Sequence, residues 1–297
     1  MQSNSKGLAI KIAIVFGVLF VALLIYFGLH KKTVVEPVKV AEVVATSTYK
    51  IIGTSVQGRK IESYTYGSGT ENVVFVGGIH GGYEWNSVLL AYQLMDYLKN
   101  NPKIIPEKLK ITIIPTLNPD GVYGVTGKDG RFAVGDVSTS TKILAAGRFN
   151  AHAVDLNRNF DCRWQPKGTW QSKTTSAGTE AFSEPEAMAF KSFVLENNPS
   201  VVVFWHSASG GVYASSCKKG ILPGTSDLMN YYSKASGYPA VKTFDAYPVT
   251  GAADDWLASI NIPAVSVELK THEAVEWDKN LAGVKELLEF YGNRIGV

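Results

Sequence analysis

The sequence predicts an α/β protein: a mixed, largely parallel central sheet with helices on both faces, preceded by one amino-terminal transmembrane helix. Two observations lead to this prediction. Short apolar runs typical of buried strands alternate with helical patterns along most of the 297 residues. One longer, uncharged run stands alone near the amino terminus. In open α/β sheets the ligand site lies beyond the carboxyl ends of the strands, so polar residues there are the candidates for function.

The uncharged run covers residues 12–29, which as a helix would be about 27 Å long, close to the hydrocarbon thickness of a bilayer. A cleaved signal peptide is the alternative. The run is longer than a typical signal core, however, and no small-residue cleavage site follows it closely. We therefore predict an uncleaved membrane anchor over residues 1–30. Lys6 and Lys11 favour a cytoplasmic amino terminus, with the rest of the chain outside.

Residues 31–48 are rich in Val, Thr and Lys and show no helical period, which predicts an extended tether. Residues 49–297 contain no second linker and no internal repeat, so we expect them to form one domain. The composition is 45% hydrophobic and 11% aromatic, which is sufficient for a packed core. The formal net charge of +3 and the scattered basic residues indicate no nucleic-acid partner. Nothing indicates an oligomeric state.

The first elements of this domain are predicted from strand and helix periods. Polar and aromatic residues alternate over residues 63–66, which is typical of a half-buried strand. Residues 73–79 and 111–117 are apolar runs that predict fully buried strands, the first of them interrupted by two glycines. Between them, residues 87–99 place four large apolar side chains on one helical face.

The later elements begin with a helix that ends near Asn197. Ser183 is followed three residues later by Glu186, which predicts a capping box at the start of this helix. The remaining elements are two apolar strands and a closing amphipathic helix, at residues 201–205, 264–269 and 281–295.

Four polar residues lie at the ends of the predicted strands. His80 and Glu84 follow one strand, His206 follows another, and Glu268 is near the end of a third. Two imidazoles and one carboxylate are typical ligands of a catalytic zinc ion, with a fourth position left for water. Two glycines between His80 and Glu84 would allow the tight bend that brings both side chains to one ion. A single histidine at a strand end is more often structural, so the assignment depends on further motifs.

Six segments supply those motifs: GGIHGGYEW, NPDG, VDLNRNF, SEPE, WHS and VEL. They occur in the order found in the zinc metallocarboxypeptidases related to carboxypeptidases A and B, and the chain resembles that family from about residue 49 to its carboxyl terminus. The resemblance implies that residues 49–297 form a zinc carboxypeptidase catalytic domain. Such a domain would bind one zinc ion and hydrolyse the last peptide bond of a peptide with a free carboxyl terminus.

The resemblance also implies roles for the four strand-end residues. His80, Glu84 and His206 would hold the zinc, and Glu268 would be the general base that takes a proton from the attacking water. Glu273 competes for the role of base, but it lies past the strand end and outside the motif.

Substrate-binding residues follow from the same resemblance. Asn157 and Arg158 would bind the terminal carboxylate, a role that suits the planar, bidentate guanidinium. Tyr247 resembles the mobile tyrosine that closes over the substrate in this family. The arginine that stabilises the oxyanion is assigned to Arg148.

This sequence departs from the family at two points. Three residues separate His80 from Glu84, where the familiar members have two. The spacing that leads to Arg148 is loose, so Arg131 and Arg163 stay open as oxyanion donors.

Asp254 offers a hypothesis about specificity. It precedes an Asp-Trp pair, and in the related digestive enzymes the residue at that place lines the pocket for the terminal side chain, being acidic in the B type. Asp254 therefore predicts a preference for terminal Lys, Arg or diaminopimelate. The alternative is that Asp254 points away, toward Lys242.

Other interpretations remain open. The zinc site is also compatible with a deacylase of small amino-acid conjugates, and the fold with a catalytically silent binding module of the cell envelope. His272 and His152 lie off the motif positions, and we predict no part for them in the metal site. Cys162 and Cys217 either form a disulfide, which would fit an oxidising compartment, or are two buried thiols.

Overall fold

The protein is described by a computed structural model in which residues 5–29 and 47–293 can be described. The chain divides into two compact units, Met1–Glu42 and Val43–Val297. The first unit contains one described helix, α1 (Ser5–Leu29). Of the predicted tether, all but residues 47 and 48 lies outside the described residues.

The predicted membrane anchor coincides with α1. Across residues 5–29 and 47–293, however, no helix combines the length and the apolar character that crossing a membrane requires. The transmembrane prediction is therefore not confirmed.

The second unit contains all the strands that the structure describes. They are β1 (Thr48–Thr54), β2 (Lys60–Gly67), β3 (Glu71–Val76), β4 (Leu109–Ile114), β5 (Lys167–Trp170), β6 (Lys173–Ser176), β7 (Val201–Ser207), β8 (Gly211–Ala214), β9 (Ala240–Val241) and β10 (Ala264–Leu269). The helices of this unit are α2 (Trp85–Asn100), α3 (Pro119–Thr126), α4 (Thr141–Ala146), α5 (Pro185–Asn197), α6 (Pro223–Ser236), α7 (Ala253–Ser259) and α8 (Trp277–Asn293). Short 3-10 helices cover Gly81–Glu84, Pro102–Ile104, Val134–Asp136 and Leu156–Arg158.

Eight strands form one mixed sheet in the order β1-β2-β4-β3-β7-β10-β8-β9. Its centre is parallel: β4 pairs with β3, β3 with β7, and β7 with β10. At one edge β1 runs antiparallel to β2 and β2 runs antiparallel to β4, while toward the other edge β8 runs antiparallel to β10. The predicted mixed, largely parallel sheet is thus confirmed.

Helices cover both faces of this sheet, which explains why its central strands are continuously apolar. Alternate side chains of β3 and β7 enter two separate cores. Phe75 and Trp205 pack in the layer that contains residues of α2, α6 and α8. Val74 and Phe204 pack in the opposite layer, with residues of α5 and α7. The strands β3 and β7 are therefore held by burial on both sides.

Three local predictions are wrong. The strand predicted over residues 111–117 ends at Ile114. The first predicted apolar strand stops at Val76 instead of residue 79, because the chain turns at Gly78, whose φ is +59°. The predicted capping box does not form either, since Glu184 is the residue before the first turn of α5. The Ser183 hydroxyl donates to Glu184 at 2.9 Å, and Glu186 accepts from the backbone N–H of Val56 at 3.1 Å.

Cys162 and Cys217 are joined by a disulfide, so the alternative of two buried thiols is excluded. Their Cα atoms are 6.1 Å apart, within the usual range for a disulfide. The bond joins the loop that follows the DLNRNF motif to the segment that follows β8.

Candidate active site

Three side chains of the predicted metal site meet at the carboxyl ends of the central strands. His80 follows β3, Glu84 ends the next 3-10 helix, and His206 lies on β7. One ligand atom from each lies within 4.8 Å of the other two, and all three residues are buried. Ligand atoms bonded to zinc at about 2.1 Å would lie about 3.4 Å apart in a tetrahedron, so small side-chain rotations would bring them to one ion.

The protonation of His80 also fits a metal ligand. Its Nδ1 atom is buried without a hydrogen-bond partner among the described residues, although Asp155 Oδ1 lies 3.4 Å away. Burial, and next the positive charge of Arg148, lower the pKa of His80 well below its ordinary value. The imidazole is therefore neutral and keeps a lone pair for a cation. With His206 and Glu84 this gives the donor set of a catalytic zinc site.

The extra residue between His80 and Glu84 is accommodated by the 3-10 helix Gly81–Glu84, for which His80 is the preceding residue. Gly81 has a φ of +45°, and a Cβ atom built on it would lie 2.5 Å from the carbonyl oxygen of Gly147. Only glycine tolerates both conditions. The tight turn expected from the glycine pair is present, and it brings His80 and Glu84 together despite the longer spacing.

Glu268 lies beside the metal-ligand cluster. On β10 it is the register partner of His206 on the parallel strand β7. Its Oε2 atom is inaccessible to solvent and has no hydrogen-bond partner within the described part of the chain. Burial, and the negative charge of Glu84, raise the pKa of Glu268 to about 7, although His206 opposes the rise. A carboxylate with a pKa near 7 is well matched to proton transfer at neutral pH. Glu273, the competing base, is exposed and does not line the cavity.

Arg148 is the arginine that the structure places beside the metal ligands. Its Nη1 atom is 3.8 Å from Glu84 Oε1, and its Nε and Nη2 atoms bond to Asp155 Oδ2 at 3.0 and 2.9 Å. The guanidinium carbon lies 4.7 Å from the ring centre of Trp170. Of the two other candidates, Arg131 pairs with Asp96 at an exposed position.

Arg163, the other alternative for the oxyanion donor, lines the cavity. Its guanidinium donates to the carbonyl oxygen of Ser216 at 2.8 Å and to Asp255 at 3.2 Å. These bonds hold Arg163 at the wall near Asp254, and among the described residues no ion pair joins it to the metal-ligand cluster.

Asn157 and Arg158 lie in the short 3-10 helix of the DLNRNF motif, and both are buried. The Arg158 guanidinium donates through Nη1 to the carbonyl oxygen of Asn157 at 2.6 Å. Through Nε and Nη2 it donates to the carbonyl oxygen of Thr169, at 3.2 and 2.7 Å. These three bonds leave one N–H on each terminal nitrogen, so two donors remain for a substrate carboxylate. The side-chain oxygen of Asn157 accepts from the N–H of Ala253.

Tyr247 and Asp254 line the same cavity. The Tyr247 ring is half-buried, with its centre 4.8 Å from that of Phe244, and burial raises the pKa of its phenol. Asp254 accepts from the Ser266 hydroxyl at 2.9 Å. Among the ion pairs of the described residues, none joins Asp254 to Lys242. The alternative in which Asp254 is bound to that lysine is therefore not observed.

A second carboxyl group stands beside Asp254. Burial, and next the charge of Asp254, raise the pKa of Asp255 to about 7, against the opposing effects of the Ser216 N–H and Arg163. The Asp255 carboxyl is therefore partly protonated near neutral pH, and Arg163 is its cationic partner at 3.2 Å.

One cavity of about 690 Å³ contains all nine residues predicted from the sequence. It also contains Tyr83, Trp170 and His272, which the sequence analysis did not assign to the site. His272 is not among the three residues of the metal-ligand cluster, but its position four residues after Glu268 brings it to the cavity.

Comparison with known proteins points to one family. The model of the family described as zinc carboxypeptidase matches residues 41–278. "Zinc carboxypeptidase A 1" of Anopheles gambiae is 28% identical over 69% of this chain and 50% of its own length. "Zinc carboxypeptidase" of Simulium vittatum is 28% identical over 84% of each chain. The chain thus spans half the length of the mosquito relative and most of the blackfly one.

Solved structures show the same fold. The murein-tripeptide amidase MpaA of Escherichia coli O157 superposes with a TM-score of 0.60 and 18% identity, over 88% of this chain and 98% of that one. At this identity the likeness concerns the fold alone.

Proposed function

This chain belongs to the zinc carboxypeptidase family, and on that premise we propose that it is a zinc-dependent hydrolase of the last peptide bond in peptides with a free carboxyl terminus. The observation that carries the proposal is one cavity that gathers a His-Glu-His cluster, Glu268 with a pKa near 7, and Arg158 with two uncommitted N–H groups. Each group matches one requirement of the reaction: a metal, a base and a carboxylate-binding cation.

Zinc would be held by His80, Glu84 and His206, and when bound it would polarise the scissile carbonyl and acidify water. Glu268 would take a proton from the attacking water and pass it to the leaving amine. The unpaired Oε2 atom suits this exchange, because no neighbour in the described chain competes for its lone pair.

Arg148 would stabilise the negative charge that develops on the carbonyl oxygen. Two of its nitrogens are held by Asp155, whereas the one contact of Nη1 with a described carboxylate is that with Glu84 at 3.8 Å. A cation held in place before the reaction needs no reorganisation when the charge develops, which is the basis of oxyanion stabilisation. Arg158 would bind the terminal carboxylate and so fix which peptide bond reaches the metal.

The terminal side chain would contact Asp254. The carboxylate of Asp254 in the cavity wall favours substrates that end in Lys, Arg or diaminopimelate, each of which has a cationic group. Cell-wall peptides are included in the proposed substrate class, because the structural neighbour is named for a murein tripeptide.

The catalytic domain is proposed to act outside the cytoplasm. The Cys162–Cys217 disulfide supports this location, since disulfides persist mainly in oxidising compartments.

The test measures hydrolysis of a panel of peptides by the full chain and by its Glu268→Gln variant. The peptides end in Lys, Arg, diaminopimelate, Phe or a blocked amide. The metal content of both proteins is measured in parallel. Cleavage of free basic termini that depends on zinc and on Glu268 is the expected result. Release of an acyl group from small conjugates without peptide cleavage would identify a deacylase. Zinc binding without any hydrolysis would identify a silent binding module.

A further inference from the structure

His272 lines the catalytic cavity but has no part in the mechanism described above. It lies in the loop between β10 and α8, and its ring centre is 4.5 Å from that of Tyr83. Tyr83 in turn makes an edge contact with Trp170, at 5.1 Å between centres. The imidazole is thus one member of an aromatic wall of the cavity.

Hydrogen bonds determine which nitrogen of His272 bears the proton. Both N–H groups of the Asn86 amide donate to backbone carbonyls, of Thr271 at 2.7 Å and Ala274 at 2.9 Å. Carbonyl oxygens only accept, so the Asn86 side-chain oxygen must face Ser207, whose hydroxyl donates to it at 2.9 Å. The only hydroxyl proton of Ser207 is therefore used in the bond to Asn86. The contact of 2.8 Å between this hydroxyl and His272 Nδ1 requires Nδ1 to be the donor.

The other ring nitrogen is therefore an acceptor. In a neutral imidazole whose proton is on Nδ1, Nε2 has a bare lone pair. No protein group in residues 5–29 or 47–293 bonds to the Nε2 atom of His272, whose only side-chain hydrogen bond is the one to Ser207. Asn86 holds the loop at both Thr271 and Ala274, so the ring has a defined place beside the cavity.

The position of His272 indicates which part of a substrate, relative to the scissile bond, it would contact. Asp254 bonds to Ser266, two residues before Glu268 on β10. His272 comes four residues after Glu268 and bonds to Ser207, one residue beyond the metal ligand His206. Along the strand direction, Glu268 thus lies between Asp254 and His272. If the terminal side chain contacts Asp254, the acyl part of the substrate extends toward His272.

We infer that His272 Nε2 accepts a hydrogen bond from the backbone N–H of the substrate's penultimate residue. This inference depends on the proposed carboxypeptidase function, and it makes His272 a specificity-determining residue for the acyl side. Substrates whose penultimate residue has a secondary amide are bound well. Those with a tertiary amide, such as N-methylated residues or proline, are bound poorly because they lack the donor.

Two substitutions test the roles of the two ring nitrogens of His272 separately. In His272→Asn the short amide can still bond to Ser207, but it does not reach the place of Nε2. In His272→Gln the longer side chain can put an acceptor oxygen near that place. His152→Asn is the matched control, because His152 is exposed and bonds to Glu184 outside the cavity.

Two substrates complete the test: an acylated Gly-Lys dipeptide and its N-methylglycine (sarcosine) counterpart. With wild-type chain we expect preference for the Gly substrate. His272→Asn should raise KM for the Gly substrate about five- to tenfold, the value of one hydrogen bond, with kcat nearly unchanged and no effect on the sarcosine substrate. His272→Gln should recover part of the loss, and His152→Asn should behave as wild type.

An equal loss on both substrates would overturn the inference and assign His272 a structural role, as would no loss on either. Should the wild-type chain hydrolyse neither peptide, the proposed function has failed separately. The inference would then be decided by calorimetric binding of the two peptides to zinc-loaded Glu268→Gln with and without His272→Asn. Equal dissociation constants for the Gly and sarcosine peptides in that experiment would reject it.

Discussion

Glu268 and His206 are directly opposite each other on the adjacent parallel strands β10 and β7. Backbone hydrogen bonds between the strands set this pairing, and packing on both faces holds the strands in place. The proposed metal ligand and the proposed general base are thereby kept side by side by the sheet itself. Catalytic groups on such elements are more precisely placed than groups on loops.

Replacing the base should separate chemistry from metal binding. We expect Glu268→Gln to lower kcat by about 10² to 10⁴, the range for loss of general base catalysis, while zinc content stays at one ion per chain. Turnover of a peptide ending in Lys and metal analysis by mass spectrometry would measure both. Full activity in the variant would reject Glu268 as the base, and Glu273→Gln is the comparison variant because Glu273 is exposed.

The rate should depend on pH through the ionisation of Glu268. The pKa of this group is raised to about 7, so below that pH the carboxyl is protonated and cannot accept a proton. A bound divalent cation favours the ionised form and moves the acid limb to lower pH. We expect kcat/KM to fall about tenfold per pH unit below the limb, which lies at or below pH 7 in the zinc-loaded protein.

The check is a pH profile of kcat/KM for wild type. A profile with no acid limb down to pH 4 would contradict the assignment.

Arg158→Lys should weaken recognition of the terminal carboxylate. A lysine keeps the charge but loses the two parallel N–H groups, so we expect kcat/KM to fall about 10- to 100-fold. Lysine is preferred to alanine as the test because Arg158 also bonds to the carbonyl oxygens of Asn157 and Thr169. Kinetics on paired free-acid and amide peptides would measure the effect. The free-acid preference should shrink in the variant, and an unchanged preference would assign Arg158 a structural role.

Asp254→Asn should change which terminal residue is preferred. The substitution keeps an oxygen for the Ser266 hydroxyl but removes the charge, so the ratio of kcat/KM for Lys over Phe termini should fall about tenfold. Asp245→Asn is a matched control, because Asp245 is exposed and does not line the cavity. The same ratio in both variants would mean that Asp254 does not select the terminal side chain.

Removing the disulfide should destabilise the fold. The bond closes a loop of 55 residues, for which the chain-entropy estimate is about 4 kcal/mol. Denaturant unfolding of the Cys162→Ala, Cys217→Ala double variant against wild type would measure the difference. Equal free energies of unfolding would show that the bond does not constrain the unfolded chain.

The central sheet could be predicted from sequence because its strands are buried on both faces. Such strands are continuous apolar runs, and the prediction for β10 matches its observed limits, Ala264–Leu269. The short strands β8 and β9 were missed, since four and two residues are too few to show a period. The capping box was mispredicted because Ser183 and Glu186 bond to groups distant in sequence or outside the helix, which a local pattern cannot reveal.

The site residues were predicted from sequence motifs. The topology of the sheet explains why they meet in one cavity. His272 was not predicted as a site residue because its proposed role depends on hydrogen bonds through Ser207 and Asn86, which are far from it in sequence. Local sequence patterns do not reveal hydrogen bonds between residues that are distant in the sequence. The sequence signal that remained was its closeness to Glu268.

The order in which the site's parts are synthesised has a consequence for the growing chain. Residues 80 and 268 are 188 positions apart, and β10 lies inside the sheet between β7 and β8 although it is the last strand in the sequence. A nascent chain that ends before residue 264 contains the three proposed metal ligands but lacks both the proposed base and the strand that completes the middle of the sheet. Contacts this distant form late in folding. We therefore expect the proposed hydrolase to become active only after β10 has been made and has entered the sheet.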